Sequence, residues 1–392
     1  MPVFDRESIH ANQAWPWRFS SGRYGHRELT LHRSADGLSG DLGVHAIQFF
    51  IVAPETVAAA LAAHREARAV FVGDPSYVGT VGDVRGLTEV AHAHDVPLIV
   101  DAAWAAHFGF HPDLPPHPLQ CGADAMVTSA HKTLPAWSQA ALVLARTERI
   151  DPARLDAGVE ATATTSPAGA ILASTDASRA LLERDGRELL AEAIAATRAA
   201  RERLKRVEGL TVLDGPSVDP VKLTLVLSGT GADGNAVERD LIAAGMPVES
   251  ADRDVLTAIV TLADSDEALA RLADHLAASI QRHRGDPRPP VGPAAYSVEP
   301  IVVVPPREAF FAAAKPVGID EAVGRVSAEL IAPYPPGIPV LAPGEEVTAA
   351  VIEALASACA AGGDRGGRPH QFTIRSTVVG LNGKQRLPKP DS

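Results

Sequence analysis

The chain has 392 residues, of which 46% are hydrophobic and 21% are charged, and its formal net charge is −12. This length and apolar content suffice for a large core shared by two or more domains. The acidic balance argues against nucleic acid or an anionic membrane as a partner, and no apolar run approaches the ~20 residues that span a bilayer. With only two cysteines and no signal-peptide pattern, the chain is expected to be soluble and cytoplasmic.

Residues 1–45 form an atypical N-terminal segment. Two of the four tryptophans lie there among several histidines, and no helical or strand period is visible. The pattern becomes regular at Pro54, where a proline followed by Glu55 predicts a helix that continues to Ala62.

Buried strands and helices then alternate along the chain. Short apolar runs predict strands over residues 69–72, 97–101, 125–129 and 139–145. Asp83 is expected to cap a helix between the first two strands. Strand, helix and strand joined by short connections predict right-handed βαβ units and a mainly parallel sheet.

A long helical stretch is predicted over residues 175–207, with a break near Asp185-Gly186. The pattern then changes to shorter mixed elements, which predict a smaller α+β domain. Its strands are predicted over residues 210–213, 222–227 and 256–262, and its helices over residues 236–244 and 265–282. A later helix is predicted over residues 319–330.

Composition and pattern together predict six parts of the chain. Residues 284–296 are rich in arginine, proline and glycine, as linkers are, and the glycine-rich tail is expected to be poorly ordered. The parts are the atypical segment 1–45, an α/β domain 46–175, a small α+β domain with its connecting helix 176–283, the linker 284–296, a C-terminal domain 297–362 and the flexible tail 363–392.

The run Ser129-Ala130-His131-Lys132 follows the third predicted strand, and Asp101 ends the second. Ligands of open α/β sheets bind beyond the carboxyl ends of the strands, so an amine and a carboxylate are expected at one site. Pyridoxal phosphate chemistry requires these groups, because the lysine forms a Schiff base with the cofactor aldehyde and the acid keeps the pyridine nitrogen protonated. Taken singly, a lysine such as Lys132 is better explained as a solvated loop lysine, and Asp101 is explained equally well as a cap on the next turn.

Three neighbours extend the predicted site. Ser129 and His131 can donate hydrogen bonds to a phosphate, and Ala103 is small enough to lie flat against a cofactor ring. In isolation, Ala103 is explained equally well as a small residue in a tight turn. Tyr77, in the turn after the first strand, either points into the same crevice or covers the sheet edge.

Two other kinds of site find less support. His107 and His111 could bind a metal, but no cysteine or carboxylate lies at ligand spacing, so a loop or packing role is favoured. Residues 82–86 lack the glycine fingerprint of dinucleotide sites, and no phosphate-loop lysine motif occurs in the chain.

Seven short motifs follow one another within residues 52–362. They are Pro75-Ser76-Tyr77-Val78-Gly79-Thr80, Val100-Asp101-Ala102-Ala103, Gly122-Ala123-Asp124, Ser129-Ala130-His131-Lys132-Thr133-Leu134, Thr164-Thr165-Ser166-Pro167, Asp219-Pro220-Val221-Lys222 and Ala332-Pro333-Tyr334-Pro335-Pro336-Gly337-Ile338-Pro339. In this order they resemble the ornithine/lysine/arginine decarboxylase family of fold-type-I pyridoxal phosphate enzymes. The resemblance implies a mainly parallel, N-terminally truncated α/β sheet of that fold type, then a small α+β domain and a C-terminal decarboxylase domain.

The resemblance also implies roles for individual residues. Lys132 would be the Schiff-base lysine, Asp101 the partner of the pyridine nitrogen, Ser129 and His131 the holders of the cofactor phosphate, and Ala103 the residue against the ring. The implied reaction removes the α-carboxylate of arginine, lysine or ornithine and yields CO₂ and an amine of polyamine biosynthesis. The implied partners are this small-molecule substrate and further copies of the chain, in a homodimer or higher oligomer, with no metal.

Two departures from the family pattern keep alternatives open. The chain reads Asp101-Ala102-Ala103-Trp104 where the family usually has aspartate, glutamate, alanine and histidine, so an indole replaces an imidazole beside the cofactor. The N-terminal part of the family's cofactor domain, before the equivalent of Pro54, finds no match. The alternatives are a catalytically impaired fragment or regulatory partner of a full-length decarboxylase, and another fold-type-I enzyme such as an aminotransferase or lyase.

Overall fold

A computed structural model describes residues 51–146, 148–164, 166–289, 298, 300–332, 339–361 and 373–377. They divide into two compact units, a first unit with the residues up to 289 and a second unit with those from 298 onward. The segment 1–45, the Tyr334-Pro335-Pro336-Gly337 motif and most of the predicted tail lie outside the described residues.

The first unit contains a four-stranded sheet in the order β1-β2-β3-β4. The strands are β1 (Val70–Gly73), β2 (Leu98–Asp101), β3 (Ala125–Thr128) and β4 (Leu142–Ala145). The pairs β1–β2 and β2–β3 are parallel, as predicted, whereas β4 is antiparallel to β3. The connection from β3 to β4 holds only a one-turn helix, α3 (Ala130–Thr133), so the chain turns back without the crossover that a parallel pair needs.

Two helices cover this sheet where the sequence predicted them. They are α1 (Pro54–Ala63) and α2 (Val84–Ala93). Asp83 caps α2, because its carboxylate accepts a hydrogen bond of 2.9 Å from the Gly86 amide. The buried face of α2 meets the apolar strand residues in one core, and complete burial of each large aliphatic side chain contributes about 1.5–3 kcal/mol. This core includes Leu87, Ala91, Leu98, Val100 and Met126.

The helical stretch after the sheet is longer than predicted and is not interrupted. Helix α4 (Pro152–Thr162) precedes α5 (Gly169–Leu204), a helix of 36 residues that begins before residue 175 and has no break at Asp185-Gly186. Gly186 is buried inside α5 beside the Leu182 side chain. A glycine in a helix costs only about 1 kcal/mol, which the buried face of α5 outweighs.

The remainder of the first unit is the predicted small α+β structure. A second sheet has the order β5-β6-β8-β7, with antiparallel neighbours throughout. Its strands are β5 (Thr211–Val212), β6 (Lys222–Val226), β7 (Ser250–Ala251) and β8 (Val255–Ile259), and its helices are α6 (Gly234–Ala243) and α7 (Asp266–Arg282). Leucines on β6, α6 and α7 share one core, which explains why these elements pack together.

Backbone hydrogen bonds join the two sheets of the first unit at one place. Thr80 pairs with Val218 as an isolated β-bridge, and the Asp219 amide donates to the Gly79 carbonyl at 2.8 Å. Gly79 has a φ of +90°, and a Cβ atom there would lie 2.6 Å from Cγ of Lys222. The contact therefore requires glycine for its conformation and for space.

Gly79→Ala is expected to lower the free energy of unfolding by about 2–3 kcal/mol, because it combines a left-handed backbone with a steric conflict against a fixed side chain. Gly245→Ala is the matched control, since Gly245 has a φ of +74° but open space around its Cβ position. Its loss should be about 1 kcal/mol. Urea unfolding of the three proteins measures both values, and equal losses would contradict the steric explanation.

The second unit contains elements that the sequence did not predict. Its helices are α8 (Pro306–Phe311), α9 (Ile319–Ala322) and α10 (Ala349–Ala361), and its antiparallel strands are β9 (Ala314–Gly318) and β10 (Thr373–Thr377). The helix predicted over residues 319–330 is wrong beyond Ala322, because Gly324 adopts a φ of +78° and Val326 forms a bridge with Glu346. Strand β10 lies within the tail that was expected to be flexible.

Among the described residues, no helix has both the length and the apolar character that a membrane span requires.

Candidate active site

Three parallel strands of the first unit direct chemically active residues to one edge of the sheet. Tyr77 follows β1, Asp101 ends β2, and Lys132 follows β3 on helix α3. Gly73 pairs with Asp101, and Asp101 pairs with Val127, so the three strand ends lie side by side. The sequence prediction that Asp101 and Lys132 meet at this edge agrees with the structure.

Lys132 lies on a one-turn helix rather than in the predicted exit loop. Its side chain is half-buried, and Nζ lies 4.4 Å from the ring centroid of Trp104. Burial lowers the pKa of the Lys132 amine, while the negative charges of Asp101 and Glu249 partly oppose this change. The amine is therefore closer to its uncharged, nucleophilic form than a surface lysine is.

Asp101 caps the following turn, as one of its two interpretations predicted, and its role beside a cofactor stays a prediction. Its Oδ1 accepts a hydrogen bond of 3.1 Å from the Ala103 amide, as a cap on the following turn would. Burial raises the pKa of this carboxyl group, and the Ala103 amide and the positive charge of Lys132 partly oppose the rise. A strand end and a hydrogen-bonded turn together hold the carboxylate in place near the lysine.

The three predicted neighbours lie on the same loops. Ser129 is the first residue before α3, and its hydroxyl makes no capping hydrogen bond. His131 donates from Nδ1 to the Ala140 carbonyl at 2.8 Å, so its Nε2 becomes a donor only when the ring is positively charged. Ala103 is half-buried beside Asp101. The cofactor roles of these residues remain predictions.

An aromatic pair stands next to the lysine. The rings of Tyr77 and Trp104 meet edge to face, with centroids 5.3 Å apart. The Tyr77 hydroxyl donates a hydrogen bond of 3.1 Å to Oε1 of Glu249, a residue 172 positions later in the chain. Tyr77 thus points into the crevice, which was one of its two predicted positions.

Lys222 and Glu249 are site residues that sequence reasoning missed. Lys222 is the first residue of β6 and only 2% exposed, and its Nζ lies 3.7 Å from the Trp104 ring centroid. Nζ has no hydrogen-bond partner within the described part of the chain. The available signal was a lysine at the start of an apolar strand, directly after the Asp219-Pro220 turn.

Burial lowers the pKa of Lys222 from its ordinary 10.5 to about 8, so the folded protein binds this proton less tightly than the unfolded chain. The resulting loss of stability is complete below pH ~8 and disappears as the pH rises towards 10.5. Lys222→Met should therefore increase the free energy of unfolding by about 3 kcal/mol at pH 7 and by progressively less at higher pH. Urea unfolding at pH 7 and pH 10 measures the difference, and an equal gain at both pH values would contradict this linkage.

His107 has a packing role, as the sequence analysis favoured. It is buried, and its Nε2 lies 3.1 Å from Oδ2 of the equally buried Asp219. Within the residues that the structure describes, no group of three histidine, cysteine or acidic side chains could hold a metal ion. Burial raises the pKa of Asp219, but the imidazole and the other groups around it together outweigh this effect and lower it, so the buried carboxylate keeps its charge where the loop after β2 meets the turn before β6.

The architecture of the chain is that of the fold-type-I class, to which solved lysine decarboxylases belong. Lysine decarboxylase A from Pseudomonas aeruginosa has this architecture, with a TM-score of 0.67 over 87% of this chain and 62% of that one, at 20% identity. The Francisella novicida lysine decarboxylase LdcF matches with a TM-score of 0.65 over 84% of this chain and 60% of that one, also at 20% identity.

Sequence comparison then specifies the family. The Orn/Lys/Arg decarboxylase major domain matches residues 32–215, so the match begins inside the segment expected to be atypical, and the C-terminal domain matches residues 292–364. The arginine decarboxylases of Bacillus subtilis (strain 168) and Halalkalibacterium halodurans are each 32% identical over 75% of this chain. The chain belongs to the Orn/Lys/Arg decarboxylase family, and it spans 62% of the length of these two relatives.

Proposed function

We propose that the chain is a pyridoxal phosphate-dependent decarboxylase of a basic amino acid, arginine, lysine or ornithine. The observation that carries this proposal is that the Lys132 amine and the Asp101 carboxylate follow adjacent parallel strands and lie close enough to interact electrostatically. Membership of the family and the similarity to arginine decarboxylases support it.

The residues at the site fit the cofactor chemically. A half-buried amine with a lowered pKa and a carboxylate on a rigid strand end are present together. Oγ1 of Thr133 and Nζ of Lys222 are buried and have no hydrogen-bond partner among the described residues. Thr133 follows Lys132 in the chain, and the Lys222 amine lies over the same Trp104 indole as Lys132. Unsatisfied polar atoms of this kind are expected where a polar ligand binds.

When bound, pyridoxal phosphate supplies an aldehyde that condenses with an amine and a ring that accepts an electron pair. The Lys132 Nζ, once it has lost its proton, is the amine that this chain contributes. The Asp101 carboxylate would hold the proton on the pyridine nitrogen, and Ser129 and His131 would bind the phosphate. The Trp104 ring covers one side of the Lys132 amine and limits its contact with water.

The domain roles and the assembly belong to the same proposal. Residues 46–175 would form the cofactor domain, residues 176–283 the small domain and residues 297–362 the C-terminal domain, joined by the linker 284–296. The chain would act in the cytoplasm as a homodimer or higher oligomer, with a polyamine-pathway amine as product. Sedimentation of the purified chain measures the oligomeric state directly.

The test combines cofactor trapping with product formation. The purified chain with pyridoxal phosphate should acquire the visible absorbance of the lysine-bound cofactor, and borohydride should leave a pyridoxyl group on the Lys132 peptide. Release of ¹⁴CO₂ from carboxyl-labelled arginine, lysine and ornithine then identifies the substrate. Trapping without CO₂ would favour the impaired-fragment or aminotransferase alternatives, and absence of trapping would contradict the proposal.

A further inference from the structure

The amine of Lys222 has no explanation in packing alone. The residue is 2% exposed, and Nζ has no hydrogen-bond partner among the described residues. Lysine is almost never fully buried unless it is paired, because removing its charge from water is costly. A buried group of this kind calls for a functional explanation.

The surroundings hold Lys222 firmly in this position. The buried guanidinium of Arg201 donates from Nη2 to the carbonyls of Asp219 and Lys222, at 2.8 and 2.7 Å. Gly79 leaves room for the first carbons of the lysine side chain, since a Cβ atom at residue 79 would lie only 2.6 Å from Cγ of Lys222. The lysine stem is therefore directed to the Trp104 indole by fixed backbone on both sides.

Two amines share this indole. Nζ of Lys222 lies 3.7 Å and Nζ of Lys132 lies 4.4 Å from the Trp104 ring centroid. An aromatic ring attracts each cation separately, while the two positive charges repel each other. A lysine beside a second cation loses its proton more easily, which is one way in which proteins activate a lysine nucleophile.

Other charged groups face the pair. Asp101 and Glu249 act on Lys132, whereas Asp219, Glu249 and the positive charge of Lys132 act on Lys222. The Tyr77 ring centroid lies 5.9 Å from the Lys222 Nζ. The Asp219 carboxylate accepts from His107, and Glu249 accepts from Tyr77. Neither carboxylate makes a hydrogen bond to Lys222, and the repulsion between the two amines acts on both of them.

We propose that Lys222 is a positioning residue for Lys132: its positive charge on the shared Trp104 indole favours the uncharged amine of Lys132. This inference rests on the proposed function, because it concerns the readiness of the same lysine to react with a carbonyl group. Lys222 itself forms no covalent bond. Lys132 releases its proton to solvent, and the neighbouring charge makes that release easier.

The test measures the reactivity of Lys132 in the full chain without cofactor or substrate. Trace acetic anhydride labels uncharged amines, so the pH dependence of labelling on the Lys132 peptide reports its pKa. Lys222→Met should move the midpoint for Lys132 upward by about one pH unit, which reduces labelling at pH 7 about tenfold. Lys222→Arg, which keeps the charge, should leave the midpoint low.

Lys315→Met is the matched control, because Lys315 is an exposed lysine on strand β9 of the second unit. It should leave the Lys132 midpoint unchanged. Near-ultraviolet circular dichroism checks that each variant is folded, and Lys222→Gln replaces Lys222→Met if the latter is not. An unchanged Lys132 midpoint in the folded uncharged variant would overturn the inference.

The readout also separates this inference from the proposed function. Labelling requires neither pyridoxal phosphate nor an amino acid, so an absence of cofactor trapping leaves the Lys132 midpoints measurable. Conversely, an unchanged midpoint in Lys222→Met together with normal trapping and CO₂ release would reject the role of Lys222 alone.

Discussion

Lys132→Ala should abolish both the borohydride-stable pyridoxyl adduct and the release of CO₂, reducing each to the background of a reaction without protein. The amine is the covalent attachment point in the proposed function, and alanine offers no nitrogen in its place. Because the Lys132 side chain is only half-buried, its truncation should leave the fold intact. Absorbance, peptide mapping after borohydride and ¹⁴CO₂ release measure the loss.

Lys132→Arg is the control for this substitution. Arginine keeps a positive charge that can stack on the Trp104 indole, yet its guanidinium does not lose a proton at accessible pH. The variant should be folded and equally unable to form the adduct. Lys315→Ala removes an exposed lysine of the second unit and should retain wild-type trapping.

The identity of the peptide that carries the adduct distinguishes Lys132 from other lysines. Lys222 presents a second amine to the same indole, so a pyridoxyl group on its peptide in Lys132→Ala would mean that either lysine can hold the cofactor. An undiminished adduct at any other lysine would contradict the assignment of Lys132.

His107→Leu should lower the free energy of unfolding by about 3–5 kcal/mol, since it leaves the buried carboxylate of Asp219 without its imidazole partner. Asp219 is 1% exposed, so water cannot replace the lost partner. The Val221 amide, which donates to Oδ1 at 3.1 Å, compensates only partly. Urea unfolding at pH 7 gives the value.

A control substitution and a double substitution show whether the loss comes from the contact between His107 and Asp219. His275→Leu changes an exposed histidine and should alter stability by less than about 0.5 kcal/mol. Asp219→Asn combined with His107→Leu should cost less than the sum of the two single changes, because the second change removes the unpaired charge that the first creates. A loss below about 1 kcal/mol in His107→Leu would contradict a stabilising role for this buried contact.

Local sequence pattern was sufficient to predict strands β1, β2 and β3 of the first sheet and the reactive residues that follow them. Strands β1, β2 and β3 are short apolar runs, and Asp83 is a recognisable helix cap, so their positions follow from neighbouring residues alone. The alternation of strands and helices indicated the fold class, and the seven motifs, which include Ser129-Ala130-His131-Lys132 and Tyr334-Pro335-Pro336-Gly337, made the family recognisable by resemblance.

The incorrect predictions have a common cause, which is a tertiary contact that the local sequence does not show. The break predicted at Asp185-Gly186 is absent because the surrounding face of α5 is buried, which outweighs the low helix propensity of glycine. The helix predicted over residues 319–330 stops early because Val326 pairs with a distant strand-like segment at Glu346. In each case a tertiary contact overrides the local preference.

The sequence by itself therefore determined the order of the elements in the large domain, the family and the candidate pair Asp101 and Lys132. Only the tertiary structure decided what surrounds that pair. It places Tyr77 against Glu249, 172 residues away, and His107 against Asp219, 112 residues away. It also brings the Lys222 amine to the indole beside Lys132. Such contacts join separate strands and loops, so no periodicity within either segment can indicate them.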